Sequence, residues 1–248
     1  MADKTKFIEE LNAKYQPKGE YIVLGKGMLD GEVITEVDVN IPLKTINRHG
    51  LIAGATGTGK TKTLQVFVEQ LSHKGIPTLV MDIKGDLSGI AVEGEQNDKI
   101  NERYAKTKLP YQPQSFPVEL MTISAEKGLK LRATVTEFGP VLLSKILGLN
   151  DTQSSIMSIV FKYADDKGLP LIDLDDLKKT LQYVTDNDEG KKELASNYGA
   201  ISPASLGAIL RSIVAMEQQG ATSFFGEPSF DVEDLLQTRG GKGVVNVL

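Results

Sequence analysis

Apolar residues recur along this chain in two textures, and one gives way to the other near Phe138. In the first, short apolar runs alternate with amphipathic stretches. Residues 6–15 place apolar side chains at helical spacing and stop before Pro17 and Gly19, which predicts a short amphipathic helix. The next segment, "YIVLGKGMLDGEVITEVDVNIPL", alternates β-branched residues with glycine and polar turns and predicts a hairpin or a small set of strands. "GLIAG" then reads as a buried strand, and from Lys60 to Ser72 the apolar positions Leu64, Phe67, Val68 and Leu71 predict a helix. "IPTLVMDI" reads as a second buried strand, residues 93–108 as a polar, solvated helix, and "FPVELMTI" as a third strand. Near-continuous apolar strands alternating with helices imply an α/β fold with a mostly parallel sheet covered by helices.

In the second texture the spacing is three and four residues throughout. "GPVLLSKILGLND", "DTQSSIMSIVFKYADDKG" and "LIDLDDLKKTLQYVTDND" carry Asp or Asn at the expected starts and Gly at the expected ends. "SPASLGAILRSIVAMEQQG" is the clearest helix, with Ser202 as N-cap, Pro203 in the first turn and Gly220 at the stop. Its stripe of Leu206, Ile209, Leu210, Ile213 and Val214 is expected to face a core. β character returns at "GVVNVL". The expected organisation is an N-terminal helix and small β segment over 1–45, the first part of a nucleotide-binding core over 46–136, an all-helical insertion over 137–237, and a returning core strand over 238–248.

Between the first buried strand and the following helix lies "GATGTGKT", Gly54 to Thr61, a full match to G-x-x-x-x-G-K-[ST] in the strand-then-helix setting that this motif requires. Glycines allow backbone turns closed to other residues and bring amide N–H groups against phosphates, while the helix offers its positive end to the same anion. The residues assigned to nucleotide binding are Gly54, Ala55, Thr56, Gly57, Thr58, Gly59, Lys60, Thr61 and Lys62. Lys60 would reach the β- and γ-phosphates, and the Thr61 hydroxyl would ligate Mg²⁺. ATP and Mg²⁺ are the expected cofactors.

Asp82, at the end of the second buried strand, would lie at the mouth of the sheet, where it would hold Mg²⁺ through water or place the attacking water. The competing reading makes Asp82 a turn residue before Gly85. Lys84 and Asp86 share its loop. "DIKG" matches the short D-x-x-G pattern of GTPases, but no N-K-x-D segment follows to read guanine. His49 and His73 are too far apart in sequence to suggest a metal site. "SFFGEPSFDVEDLL" reads as a loop docked by Phe224 and Phe225, and Arg132, Arg211 and Arg239 are candidates to reach a neighbouring subunit's γ-phosphate.

Composition narrows the partners. The formal net charge of −5 weighs against strong sequence-independent binding to nucleic acid, which depends on neutralising phosphates. The absence of cysteine removes disulfides, thiolate metal sites and a thiol nucleophile, and fits a cytoplasmic protein. The N-terminus has no apolar segment of a secretory signal, and no apolar run approaches the ~20 residues needed to cross a bilayer. A soluble protein with no membrane partner is expected.

"GLIAGATGTGKTKTLQ", "VMDIKGDLSGIA", "GPVLLSKILGLNDTQSSIMSIVFKYADDKGL", "LGAILRSIVAMEQQGATSFFGEPSFDVEDLL" and "GKGVVNVL" together resemble the HerA-like ATPases of the YjgR type, in the FtsK–HerA group of P-loop proteins. The resemblance implies a RecA/FtsK-like P-loop NTPase core, a homo-oligomeric, hexameric ring when full length, and translocation of double-stranded DNA. It also matches Asp82 to an acidic residue implicated in hydrolysis. Relatives of this type continue to an apolar strand ending in Asp-Glu, and no such segment follows residue 140 here. The chain is therefore expected to be the N-terminal part of a longer ATPase, with an incomplete core and little turnover by itself. Two alternatives stay open: a P-loop kinase of a small molecule, and a nucleotide-gated protein-binding module whose partner meets the acidic runs "DLDDL" and "TDNDEG".

Overall fold

The computed structural model describes residues 3–248, which divide into two compact units. The first comprises the chain up to Leu120 together with Val232–Leu248, and the second is Met121–Asp231.

The first unit opens with α1 (Lys4–Tyr15), capped by the Asp3 carboxylate, which accepts from the Thr5 and Lys6 amides. β1 (Tyr21–Leu29) and β2 (Glu32–Pro42) then form the antiparallel hairpin expected from the alternation. The turn between them, Asp30-Gly31, has φ of 48° and 84°, the left-handed pair that matches the twist of a two-residue hairpin. Ile22, Ile34 and Val37 bury the inner face.

α2 (Lys60–His73) covers the sheet. β3 (Thr78–Val80) and β4 (Val118–Thr122) flank β8 (Val245–Val247), and all pairings are parallel, in the order β3-β8-β4. A strand with neighbours on both sides shows buried residues on both faces, and all three residues of β8 are buried. Val68 of α2 packs with Val80, Leu87, Ile90, Phe116, Val245 and Val247. Asn246, on the opposite face of β8, donates its amide to the Thr78 and Leu235 carbonyls. The polar helix is α3 (Asp98–Thr107), shorter than expected because Asn97 caps it by accepting from the Ile100 amide.

One expected strand is missing. Residues 50–55 take up no strand, with Leu51 88% and Ile52 44% exposed. β3 pairs with β8 along one edge, and among the described residues no strand supplies a ladder for the "GLIAG" run. Apolar character alone cannot make a strand, because the backbone groups need partners. The second run is likewise cut short at Val80, leaving Met81 and Ile83 exposed.

In the second unit, the end of β4 pairs in parallel with β5 (Leu129–Lys130) through Met121↔Leu129 and Thr122↔Lys130. Five helical elements follow: α4 (Val135–Ile146), broken by a kink at Gly139 (φ 76°) ahead of Pro140, α5 (Asp151–Asp166), α6 (Leu174–Asp186), α7 (Asp188–Asn197) and α8 (Pro203–Gln218). Capping boxes start three of them, Thr134 with Glu137, Asn150 with Gln153, and Asp173 with Asp176. Ser202 caps α8, with Pro203 in its first turn. Leu206, Ile209 and Ile213 are buried and Leu210 is packed against the same core, whereas Val214 is 43% exposed, at the margin of the stripe.

α7 had no counterpart in the apolar pattern. Asn187 ends α6 and caps α7 at once, and a Cβ on Gly190 would lie 2.6 Å from the Tyr183 carbonyl, so glycine allows the two helices to meet closely. The Phe224-Phe225 turn closes onto Phe138, whose ring centroid lies 5.8 and 5.4 Å from the two. Phe225 is buried, and the Arg132 guanidinium lies against Gly226, where a Cβ would come within 2.6 Å of Nη2.

Candidate phosphate-binding site

Gly54–Thr61 folds as a compact turn that runs directly into α2. Its glycines are required for different reasons. A Cβ on Gly54 would lie 2.5 Å from Thr58 Oγ1, while Gly57 and Gly59 hold φ of 81° and 95°, a region costly for residues with a Cβ. The Ala55 carbonyl is the hub: it accepts from the Thr58 hydroxyl at 2.8 Å and from Lys60 Nζ at 2.8 Å. Lys60 thus folds back over its own loop. Gly59 caps α2 without a side-chain hydrogen bond, which leaves the first-turn amides for an anion. Ala55, Thr56 and Thr58 are exposed, and Thr61 follows Lys60 in the first turn. Lys62 turns away to donate to Gln65 Oε1 at 2.8 Å.

Asp82 anchors the loop beyond β3. Its Oδ1 accepts from the Gly85 and Asp86 amides at 2.9 and 3.2 Å, and its Oδ2 from the Leu87 amide at 2.8 Å. Burial pushes the carboxyl up, but the amides of Leu87, Asp86, Gly85 and Lys84 together outweigh it and hold the group below its ordinary value. Asp82 is ionised at neutral pH and organises residues 82–87.

Three polar side chains on α2 were not singled out by the sequence. Gln65, 8% exposed, donates Nε2 to the Asp86 carbonyl at 2.9 Å. Gln70 grips β1, accepting from the Val23 amide at 2.7 Å and donating back to the Val23 carbonyl. Ser72, fully buried, donates to the Gly243 carbonyl at 2.6 Å, at the end of β7 (Lys242–Gly243), which pairs with β6 (Thr238–Arg239). The available signal was a polar residue on the face that also carries Val68 and Leu71, since a buried polar group is the informative exception.

The remaining candidates take structural surroundings. His73 packs edge-on against Phe116 at 5.0 Å, and burial followed by the Lys242 charge lowers its pKa. His49 is exposed. Arg239 pairs with Glu119 at 2.7 Å, and Arg132 Nη2 lies 3.5 Å from the Phe225 carbonyl. No group of three or more His, Asp or Glu among the described residues forms a metal cage. No helix among the described residues is long and apolar enough to cross a membrane.

The chain is similar to known proteins. A probable helicase of Methanocaldococcus jannaschii is 35% identical over 78 residues, which are 30% of this chain and 15% of that protein. A bacterial conjugative coupling protein in its unbound form superposes with a TM-score of 0.49 at 15% identity, covering 97% of this chain and 52% of its own. The chain therefore spans about half the length of the coupling protein, and the matched segment a small fraction of the helicase. The family profile described as "Helicase HerA-like C-terminal" matches residues 29–248, nearly the whole chain, so the chain belongs to the HerA-like helicase family.

Proposed function

We propose that this chain is the ATP-binding module of a HerA-like motor, with Gly54–Thr61 as its phosphate loop. The observation that carries the reading is a cradle of open amides ahead of α2, with Lys60 folded over it and Gly54 kept bare of a side chain. Nucleotide would draw Lys60 Nζ from the Ala55 carbonyl to the β- and γ-phosphates, exchanging a neutral acceptor for an anionic one. Mg²⁺, when bound with the nucleotide, would neutralise charge on the phosphates, with the Thr61 hydroxyl as its protein ligand.

Asp82 would act at one remove. A carboxylate offers about four acceptor positions, and three are filled by loop amides, so what remains suits a water on Mg²⁺ better than direct ligation. Hydrolysis of ATP, assembly into a homo-oligomeric ring, action on double-stranded DNA and a cytoplasmic location complete the proposal. Family membership supports a motor of this type, whereas the net charge of −5 weighs against DNA contact over the whole surface.

Calorimetric titration with ATP–Mg²⁺, with phosphate release followed on the same samples, tests the reading. Lys60→Ala is expected to weaken binding about tenfold or more, the scale of a charged hydrogen bond. Equal affinity of the variant and the parent chain would sink the assignment.

A further inference from the structure

Gln65 occupies a place in this unit that packing alone does not explain. Its side chain lies on the buried face of α2 beside Val68, where an apolar residue would serve the core. Both ends of its amide are engaged: Oε1 accepts from Lys62 Nζ at 2.8 Å and Nε2 donates to the Asp86 carbonyl at 2.9 Å. Asp86 is in turn held from its other side, because its own amide donates to Asp82 Oδ1 at 3.2 Å. A chain of contacts thus runs from Lys62, in the first turn of α2, through Gln65 and the two peptide groups on either side of the Asp86 Cα to the Asp82 carboxylate.

We propose that Gln65 is a positioning residue that couples the phosphate-loop helix to the Asp82 loop, so that nucleotide at the N-terminus of α2 tightens the residues Asp82 organises. The proposal rests on the nucleotide reading of the site and adds to it how two segments distant in sequence act together. A glutamine suits the task because it is donor and acceptor at once. Leucine would fill the space and do neither. Glutamate would keep the acceptor for Lys62 but set a carboxylate oxygen against the Asp86 carbonyl.

The test is amide hydrogen exchange at Gly85, Asp86 and Leu87, with and without ATP–Mg²⁺, in the parent chain, Gln65→Leu and Gln65→Glu, alongside calorimetric ATP affinity. The parent chain should exchange more slowly at these amides when nucleotide is bound. Both variants should exchange about two- to tenfold faster than the parent without ligand, the scale of one hydrogen bond, and should lose the response to nucleotide. Their ATP affinity should stay within about threefold of the parent, less than a lost charged contact would cost. A nucleotide response that survives in either folded variant overturns the proposal, as does an ATP-bound parent chain with no response. If Gln65→Leu fails to fold, Gln65→Glu decides alone. Failure of the parent chain to bind ATP would instead overturn the nucleotide reading, and the coupling to nucleotide with it; the ligand-free rates would then decide only whether Gln65 holds the loop.

Discussion

At Asp82 two demands meet on one carboxylate. The loop needs an acceptor for three amides, and the proposed chemistry needs a charge facing water. Both favour the ionised form, and the amides hold the folded pKa below the ordinary 3.8. The sign follows by linkage: a depressed carboxyl contributes stability that is present above the unfolded pKa and is lost as pH falls through the folded value. Protection of the Gly85–Leu87 amides should therefore be flat near neutrality and fall only once the pH drops below the ordinary carboxylate range. Exchange measured across that range would refute the assignment if the loop opened instead near pH 6. Gly54 offers a second test. Gly54→Ala places a Cβ 2.5 Å from Thr58 Oγ1, so it should weaken ATP binding, and adding Thr58→Ala should recover part of the loss by removing that oxygen. Titration calorimetry on the single and double variants reads this directly. A double variant no tighter than Gly54→Ala would show that the clash is not the cause.

At the scale of elements, α2 carries more than the phosphate loop. Gln65, Gln70 and Ser72 tie it to the Asp82 loop, to β1 and to β7, so one helix fixes three segments from distant parts of the first unit. Gln70→Leu leaves the Val23 N–H and C=O without their side-chain partner, an expected loss of about 1–3 kcal/mol in urea unfolding. An unchanged midpoint would mean that water replaces the glutamine at no cost. The helices were legible in the sequence because their signals are local: Asn150, Asp173 and Ser202 sit where caps must sit and each caps its helix, whereas Thr134 starts α4 ahead of the Gly139 at which the apolar spacing places its start. The Gly54–Thr61 turn, with its positive-φ glycines running into α2, was legible for the same reason. Most of the strands were legible too, as the hairpin of β1 and β2 and the runs that became β3, β4 and β8 show, but the one over residues 50–55 was not, because a strand is completed by a partner elsewhere in the chain. "GLIAG" and "VVNVL" look alike as apolar runs, yet only the second finds neighbours, on both sides, in β3 and β4. The three anchors on α2 escaped for a related reason, since their partners are backbone groups whose proximity no spacing encodes.

At the scale of the whole molecule, each compact unit holds an apolar core of its own. The core of Met121–Asp231 extends through Val135, Leu143, Met157, Leu177, Leu181 and Ile213 among others, all drawn from residues of the same unit. A chain segment that buries its apolar residues against one another has the means to fold without the rest. Residues 121–231 expressed alone are therefore expected to be helical and to melt cooperatively, as circular dichroism and calorimetry would record. Leu177 is fully buried, and Leu177→Ala in that fragment should cost about 2–5 kcal/mol, the range for emptying a packed core position. Its counterpart Val232→Ala removes a side chain that is 69% exposed and belongs to the other unit, and the same substitution made in the whole chain should leave its unfolding midpoint nearly unchanged. A fragment without a cooperative transition would mean that the helical core depends on the other unit. In that case the α/β unit would be a folding template as well as the proposed nucleotide site, and Leu177→Ala made in the whole chain would be expected to reduce ATP affinity along with stability.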